Sequence, residues 1–158
     1  MSIDLSQFDP PANKTAKPTG LEQFDSPQDM GWGQEKDAWI DYTISGAEKR
    51  GLRPDIALSL FKQESQFNKN AKSPTGVRGI SQTTLATGRK HKPDYNEEDR
   101  SNPFTSIDVG LDELSELYKA HGDYPKAVFA YNGGSDPAFE SNVGRHLGWA
   151  RGEIDRRK

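Results

Sequence analysis

Pro54-Asp-Ile-Ala-Leu-Ser-Leu-Phe-Lys-Gln-Glu-Ser-Gln-Phe67 reads as one amphipathic helix with a carboxylate on its apolar side. Pro54 suits a first helical turn, where its missing N–H would have no partner anyway. Ile56, Ala57, Leu60 and Phe61 then recur at helical spacing. Glu64 lies four residues after Leu60 and seven after Ala57, so it continues that stripe. It also sits near the expected helix end, where the negative pole of the dipole disfavours a second negative charge. Partial burial and the dipole both raise a carboxyl pKa. A carboxyl kept protonated near neutral pH can serve as a general acid. The alternative for this helix alone is a glutamate at a fraying end, reaching for water.

Helical patterns extend on both sides. Gln34 to Arg50 places Trp39, Ile40, Thr43, Ile44 and Ala47 on one face, and Gly51 follows as a left-handed cap. Asn68 to Gly79 is loop-like, punctuated by Asn70, Pro74, Gly76 and Gly79. A short helix is expected around Ile80 to Thr87, ending at Gly88. Arg89 to Asn102 is so polar that it reads as an exposed excursion. Ile107, Gly110, Leu111, Leu114, Leu117 and Tyr118 mark the clearest amphipathic helix, with Gly122 at its end. Another helix is expected from Asp123 to Asn132, with Ala127, Val128 and Tyr131 inward and Gly133-Gly134 as the stop. One last helix is expected from Pro137 to about Ile154. No alternating strand is found, although a small hairpin fits the loop after Glu64. The fold class is mainly α.

Residues 1–30 differ in kind. They hold Pro10, Pro11, Pro18 and Pro27 among many polar residues and show little periodicity, so they read as a disordered acidic arm before a domain at 31–158. Within the arm, Leu5 to Pro11 and Leu21 to Pro27 share the pattern Leu-x-Gln-Phe-Asp-x-Pro. Such repeated apolar anchors can dock on a partner, or can arise by chance in a biased sequence.

At 158 residues, one core is the default, and a hydrophobic content of 32% fits a polar tail outside it. The net charge of −3 gives no general pull towards nucleic acid or an anionic membrane. No apolar run approaches the length that spans a bilayer. The start of the chain lacks the basic residues and apolar stretch of a secretory signal. The chain has no cysteine, hence neither a disulfide nor a thiol nucleophile. His91, His121 and His146 lack metal-ligand spacing, and no glycine-rich phosphate loop follows a strand. No metal or cofactor is expected.

Three motifs change the weight on Glu64. Glu64-Ser65 ends the helix. Ser73-Pro-Thr-Gly76-Val-Arg-Gly79-Ile-Ser-Gln82 follows, and Ala130-Tyr131-Asn132-Gly-Gly134 comes later. In this order they resemble the catalytic domain of soluble lytic transglycosylases, relatives of goose-type lysozymes. That family carries Glu-Ser, then Ser-x-x-Gly-x-x-Gly-Leu-Met-Gln, then Ala-Tyr-Asn-x-Gly. The resemblance spans roughly Gly33 to Gly134. It implies a compact lysozyme-like helical domain with a cleft, and peptidoglycan glycan strands as substrate.

It also implies roles. Glu64 would be the acid that cleaves between N-acetylmuramic acid and N-acetylglucosamine, with a 1,6-anhydro product. Ser73 would border the acid, Gln82 and Tyr131 would face the sugar, and Asn132 would brace that wall. Gly76 and Gly79 would allow a tight loop close to sugar. Glycosidases generally use two carboxylates. Only Glu64 stands in a motif here, which agrees with a reaction in which the substrate supplies the other groups. One departure is Ser81, where the family usually has a methionine against a sugar. Another is the segment after Gly134, which leaves Trp149 without a role.

The run from Glu64 to Gly76 looks most like internal virion transglycosylases of short-tailed phages. That implies packaging in a virion, delivery to the host periplasm and wall, and an arm that tethers virion proteins. The alternative is an excised domain of an exported bacterial protein. The rival functions are a hydrolytic muramidase on the same fold and a non-catalytic glycan-binding virion structural protein.

Overall fold

The computed structural model describes residues 27–158, with side chains from Gln34 onward. Residues 1–26 lie outside the described residues, and with them the first arm motif and all but Pro27 of the second. The described chain is helical: α1 (Pro27–Lys49), α2 (Pro54–Ser65), α3 (Leu85–His91), α4 (Glu97–Ser101), α5 (Pro103–His121), α6 (Tyr124–Tyr131), α7 (Phe139–Gly144) and α8 (Leu147–Asp155). α1 begins at Pro27, ahead of the expected Gln34. No helix among the described residues is long and apolar enough to cross a membrane.

α2 is the central element and has the expected limits. Its Leu58, Leu60 and Phe61 are wholly buried. Each such side chain contributes about 1.5–3 kcal/mol by leaving water. α1, α7 and α8 pack around α2, while α5 bridges α1 and α6. The close approach of α5 depends on Gly110. A Cβ there would lie 2.4 Å from Ser81 Cβ and 2.8 Å from Phe61 Cζ. Gly122 ends α5 in the left-handed region at φ 82°, with its N–H on Tyr118 O, as the sequence suggested.

The start of α2 is fixed electrostatically. Burial alone would raise the pKa of Asp55, but hydrogen bonds from Arg53 and Arg151 outweigh it and hold the carboxyl below its usual range. Those contacts measure 2.7 Å and 3.2 Å, and the second ties α8 to α2. Trp149, without a role in the sequence, packs on α8 against Phe67 at 6.2 Å and under Lys62 Nζ at 4.4 Å from its ring centre.

Three expectations need correction. The helix placed at Ile80 to Thr87 starts later, at Leu85, because Gln82 is left-handed at φ 52° and cannot continue a helix. Thr84 caps it by accepting from Thr87 N. Gly88 does not end it. The Tyr95 ring lies where a Gly88 Cβ would be, 2.0 Å from Tyr95 Cδ2.

Arg89 to Asn102 is not an exposed excursion. Tyr95 is wholly buried, with its hydroxyl 3.2 Å from Thr83 Oγ1. Arg100 is only 4% exposed and donates to Thr83 O and Gly76 O. Around them, Asn96 and Asp99 close a capping box on α4. The polar composition concealed a buried arginine whose partners are two loop carbonyls and the Glu97 carboxylate, 3.0 Å away.

The single last helix is two, α7 and α8, separated at Arg145 and His146. Gly144 and Gly148 flank this junction and weaken helix propensity there. His146 Nε2 lies 2.9 Å from Gln63 Oε1, which anchors the junction beside the end of α2. The suspected hairpin amounts to two antiparallel bridges, Lys72 with Arg78 and Arg78 with Thr83.

Candidate active site

Glu64 is the penultimate residue of α2, and the helix end is pinned beside it. Ser65 Oγ donates to Ile80 O at 2.7 Å. The turn that follows is held from several sides. Tyr131 Oη donates to Ser81 O at 2.7 Å. Ser81 N donates to Ser106 Oγ on α5 at 3.1 Å. Gln82 Nε2 donates to Ala71 O at 3.1 Å and to Gly79 O at 2.9 Å. Four parts of the chain thus fix one turn in front of Glu64.

The result is a cavity of about 300 Å3 whose wall includes Glu64, Gln82, Glu113, Tyr131 and Asn132. Burial raises the Glu64 pKa from an ordinary 4.5 to about 8. Its carboxyl makes no hydrogen bond or ion pair among the described residues. Burial, reinforced by the nearby Glu64 charge, holds the Tyr131 phenol well above its ordinary value. A larger pocket of about 450 Å3 lies between Tyr118, Tyr124, Val128 and Leu147. It contains none of the motif residues. The smaller cavity is the candidate site because it encloses a neutral carboxyl with no internal partner.

The structure brings Glu64, Gln82, Tyr131 and Asn132 together, but not Ser73. The Ser73 hydroxyl lies 2.7 Å from Thr75 Oγ1 and accepts from Thr75 N, so it closes a turn whose Thr75 lines the cavity while Ser73 itself does not. Gln82 has both amide hydrogens committed to backbone, so only its carbonyl oxygen is left for a ligand. Ser81 is wholly buried, and its side chain bonds Ser106 instead of lining the cavity. Gly79 is close to backbone, not to the cavity: a Cβ there would lie 2.2 Å from Arg100 O.

The Tyr131 hydroxyl is bound to the turn in front of Glu64. Tyr131→Phe removes a hydrogen bond to Ser81 O and is expected to cost about 1 kcal/mol of stability, read by denaturant unfolding. An unfolding midpoint identical to that of the parent protein would mean the hydroxyl does not hold this turn.

Sequence reasoning missed Glu113. This second carboxylate on the cavity wall lies on α5, four residues after Val109 and four before Leu117. The same apolar-stripe pattern that singled out Glu64 would have found it. Glu113 Oε1 is 2.9 Å from both His91 Nε2 and Lys90 Nζ. His91, Glu113 and Glu116 bring three metal-ligand-type atoms within 4.8 Å of one another. Lys90 Nζ, also 3.6 Å from Glu116, already supplies a cation there.

Known proteins resemble part of this chain in sequence. Peptidoglycan transglycosylase gp16 of Escherichia phage T7 is 36% identical over 92 residues, covering 56% of this chain and 7% of that protein. Membrane-bound lytic murein transglycosylase F of Saccharophagus degradans is 34% identical over 90 residues, covering 57% of this chain and 17% of that protein. The namesake enzyme of Vibrio cholerae is 40% identical over 62 residues, 39% of this chain and 11% of its own. The chain therefore matches a minor part of each relative's length. Residues 41–144, well over half of the chain, match the family described as Transglycosylase SLT domain. Sequence motifs, helical architecture and family match converge, and the chain belongs to the transglycosylase SLT domain family.

Proposed function

We propose that this domain cleaves the β-1,4 bond between N-acetylmuramic acid and N-acetylglucosamine in peptidoglycan and leaves a 1,6-anhydro muramyl end. The observation that carries this reading is Glu64, a carboxyl that burial keeps protonated to about pH 8 inside the cavity. Glu64 gives its proton to the glycosidic oxygen as the bond to the muramyl C1 breaks. The muramyl N-acetyl oxygen supports the positive carbon. The muramyl C6 hydroxyl then attacks C1 and returns its proton to Glu64. No water is consumed, and the acid is restored.

Mass spectrometry of digested peptidoglycan tests this directly. An anhydro end is lighter than the hydrolysed end by one water. Reducing ends alone would mean a hydrolytic muramidase, the second reading. It is favoured by one observation, that Glu113 adds a second carboxylate to the wall. No released product would mean a non-catalytic glycan-binding virion structural protein.

We further propose that the domain acts from a phage particle and opens the wall locally during genome delivery. The support is its similarity to the phage T7 protein and the repeated motif of the arm. The arm would then tether the domain to other virion proteins and add nothing to its core. Deleting residues 1–26 is expected to leave the melting temperature and the lysis of purified peptidoglycan unchanged. A clearly lower melting temperature would show that the arm packs on the domain.

A further inference from the structure

The cavity holds two carboxylates in different states of engagement. Glu64 has no internal bond. Glu113 is braced from behind: both Lys90 Nζ and His91 Nε2 meet the same oxygen, Oε1, at 2.9 Å. Its other oxygen, Oε2, has no protein partner among the described residues. The Glu113 side chain is 13% exposed, and the residue forms part of the cavity wall. A carboxylate anchored through one oxygen keeps the acceptor capacity of the other.

A purely structural reading would make Glu113 a clamp between α3 and α5. Glu116 already serves there, with contacts of 3.6 Å to both Lys90 and His91, and it lies outside the cavity wall. A clamp gives no reason for the second carboxylate to stand in the wall. The other cavity groups point to a ligand class. Gln82 presents only its carbonyl oxygen, because both its amide hydrogens are committed. Tyr131 spends its hydrogen on Ser81 O. These acceptors stand beside the protonated Glu64, the Asn132 amide and the hydroxyls of Thr75, Thr84 and Thr87, a mixed lining that suits a ligand carrying both hydroxyl and acetamido groups.

We propose that Glu113 is a substrate-binding residue, whose free carboxylate oxygen accepts a hydrogen bond from a hydroxyl or acetamido N–H of the glycan strand. This rests on the reading that the cleft takes peptidoglycan glycan, and it adds a contact that none of the recognised motifs contains. A hydrogen bond to a charged acceptor corresponds to roughly 10-fold to 100-fold in affinity.

The test uses the full chain in a Glu64→Gln background, so that glycan stays intact, with peptide-free peptidoglycan strands titrated by calorimetry. Adding Glu113→Gln is expected to raise Kd at least about 10-fold. Adding Glu113→Asp, which keeps the charge but shortens the reach, should weaken binding in the same direction. Adding Glu116→Gln, which disturbs the same Lys90 and His91 pairs outside the cavity, should leave Kd within about twofold. With Glu64 intact, Glu113→Gln is expected to raise KM far more than it lowers kcat. Unchanged Kd in folded Glu113→Gln overturns the proposal, as does equal weakening by Glu116→Gln, which would return Glu113 to the clamp. The binding arm is independent of chemistry. If the parent protein releases no anhydro product while Glu113→Gln still weakens binding, the transglycosylase reading fails and this one stands.

Discussion

Glu64→Gln is expected to lose wall lysis and to gain thermal stability in the same protein. The amide keeps the shape of the side chain but has no proton to give. General acid–base catalysis contributes about 10²–10⁴-fold, so lysis of purified peptidoglycan should fall by at least that order. The gain in stability follows from the raised pKa. In the unfolded chain the carboxyl ionises around 4.5, whereas in the fold it stays protonated to about 8. Below the lower value both states are protonated, and the group imposes no cost. As pH rises from there towards 8, the unfolded state gains from ionising while the folded state does not, and stability falls. At neutral pH this amounts to about 3 kcal/mol, reduced to the extent that water enters the cleft. The glutamine variant is free of this cost. Its melting temperature should exceed that of the parent protein at pH 7, and the two should converge near pH 4. The lysis rate of the parent protein should fall on the alkaline side, with a midpoint near 8, as Glu64 loses its proton. Lysis near the parental level in the folded variant would remove Glu64 from the acid role. Melting temperatures whose difference does not change with pH would mean that the carboxyl is not buried in its neutral form.

The buried carboxyl at position 64 was legible because its signal is local. Glu64 continues a four-residue spacing from Leu60 within a helix whose limits the sequence defines at Pro54 and Ser65. Helical periodicity likewise located α5 and α6, where apolar faces and caps agree. What escaped was long-range. The turn in front of Glu64 is held by the hydroxyls of Tyr131, Ser106 and Ser65, which lie far apart in the chain and bond backbone atoms of Ile80 and Ser81. Polarity misled most between Arg89 and Asn102. A buried Arg100 looks like any solvated charge until its carbonyl partners come from the loop at Gly76 and Thr83. Ser73 shows the limit of a motif position. Its motif position pointed at the acid, but its hydroxyl is taken by Thr75, two residues on.

Gly79→Ala is expected to be among the most damaging single-methyl changes in the domain, because conformation and space oppose it together. Gly79 has φ 84°, a conformation that costs an L-residue roughly 1–2 kcal/mol. The added Cβ would also lie 2.2 Å from Arg100 O and 3.0 Å from Ser106 Oγ. The first is backbone on the segment carrying the buried arginine, and the second holds Ser81 in the turn before Glu64. Neither can yield without moving a wall of the cleft, and such overpacking adds about 1–3 kcal/mol. The combined loss should lower the melting temperature by about 10 °C. Lysis should fall as well, because Gln82 Nε2 hydrogen-bonds to Gly79 O. Gly76 provides the internal comparison. It too is left-handed, at φ 92°, but an added Cβ would meet nothing within 4 Å. Gly76→Ala should therefore show only the conformational part, about 1 kcal/mol, and largely retain lysis. Equal melting losses in the two variants would mean that backbone conformation alone explains both glycines, and that the close approach of Arg100 to the cleft loop is not what requires glycine at position 79.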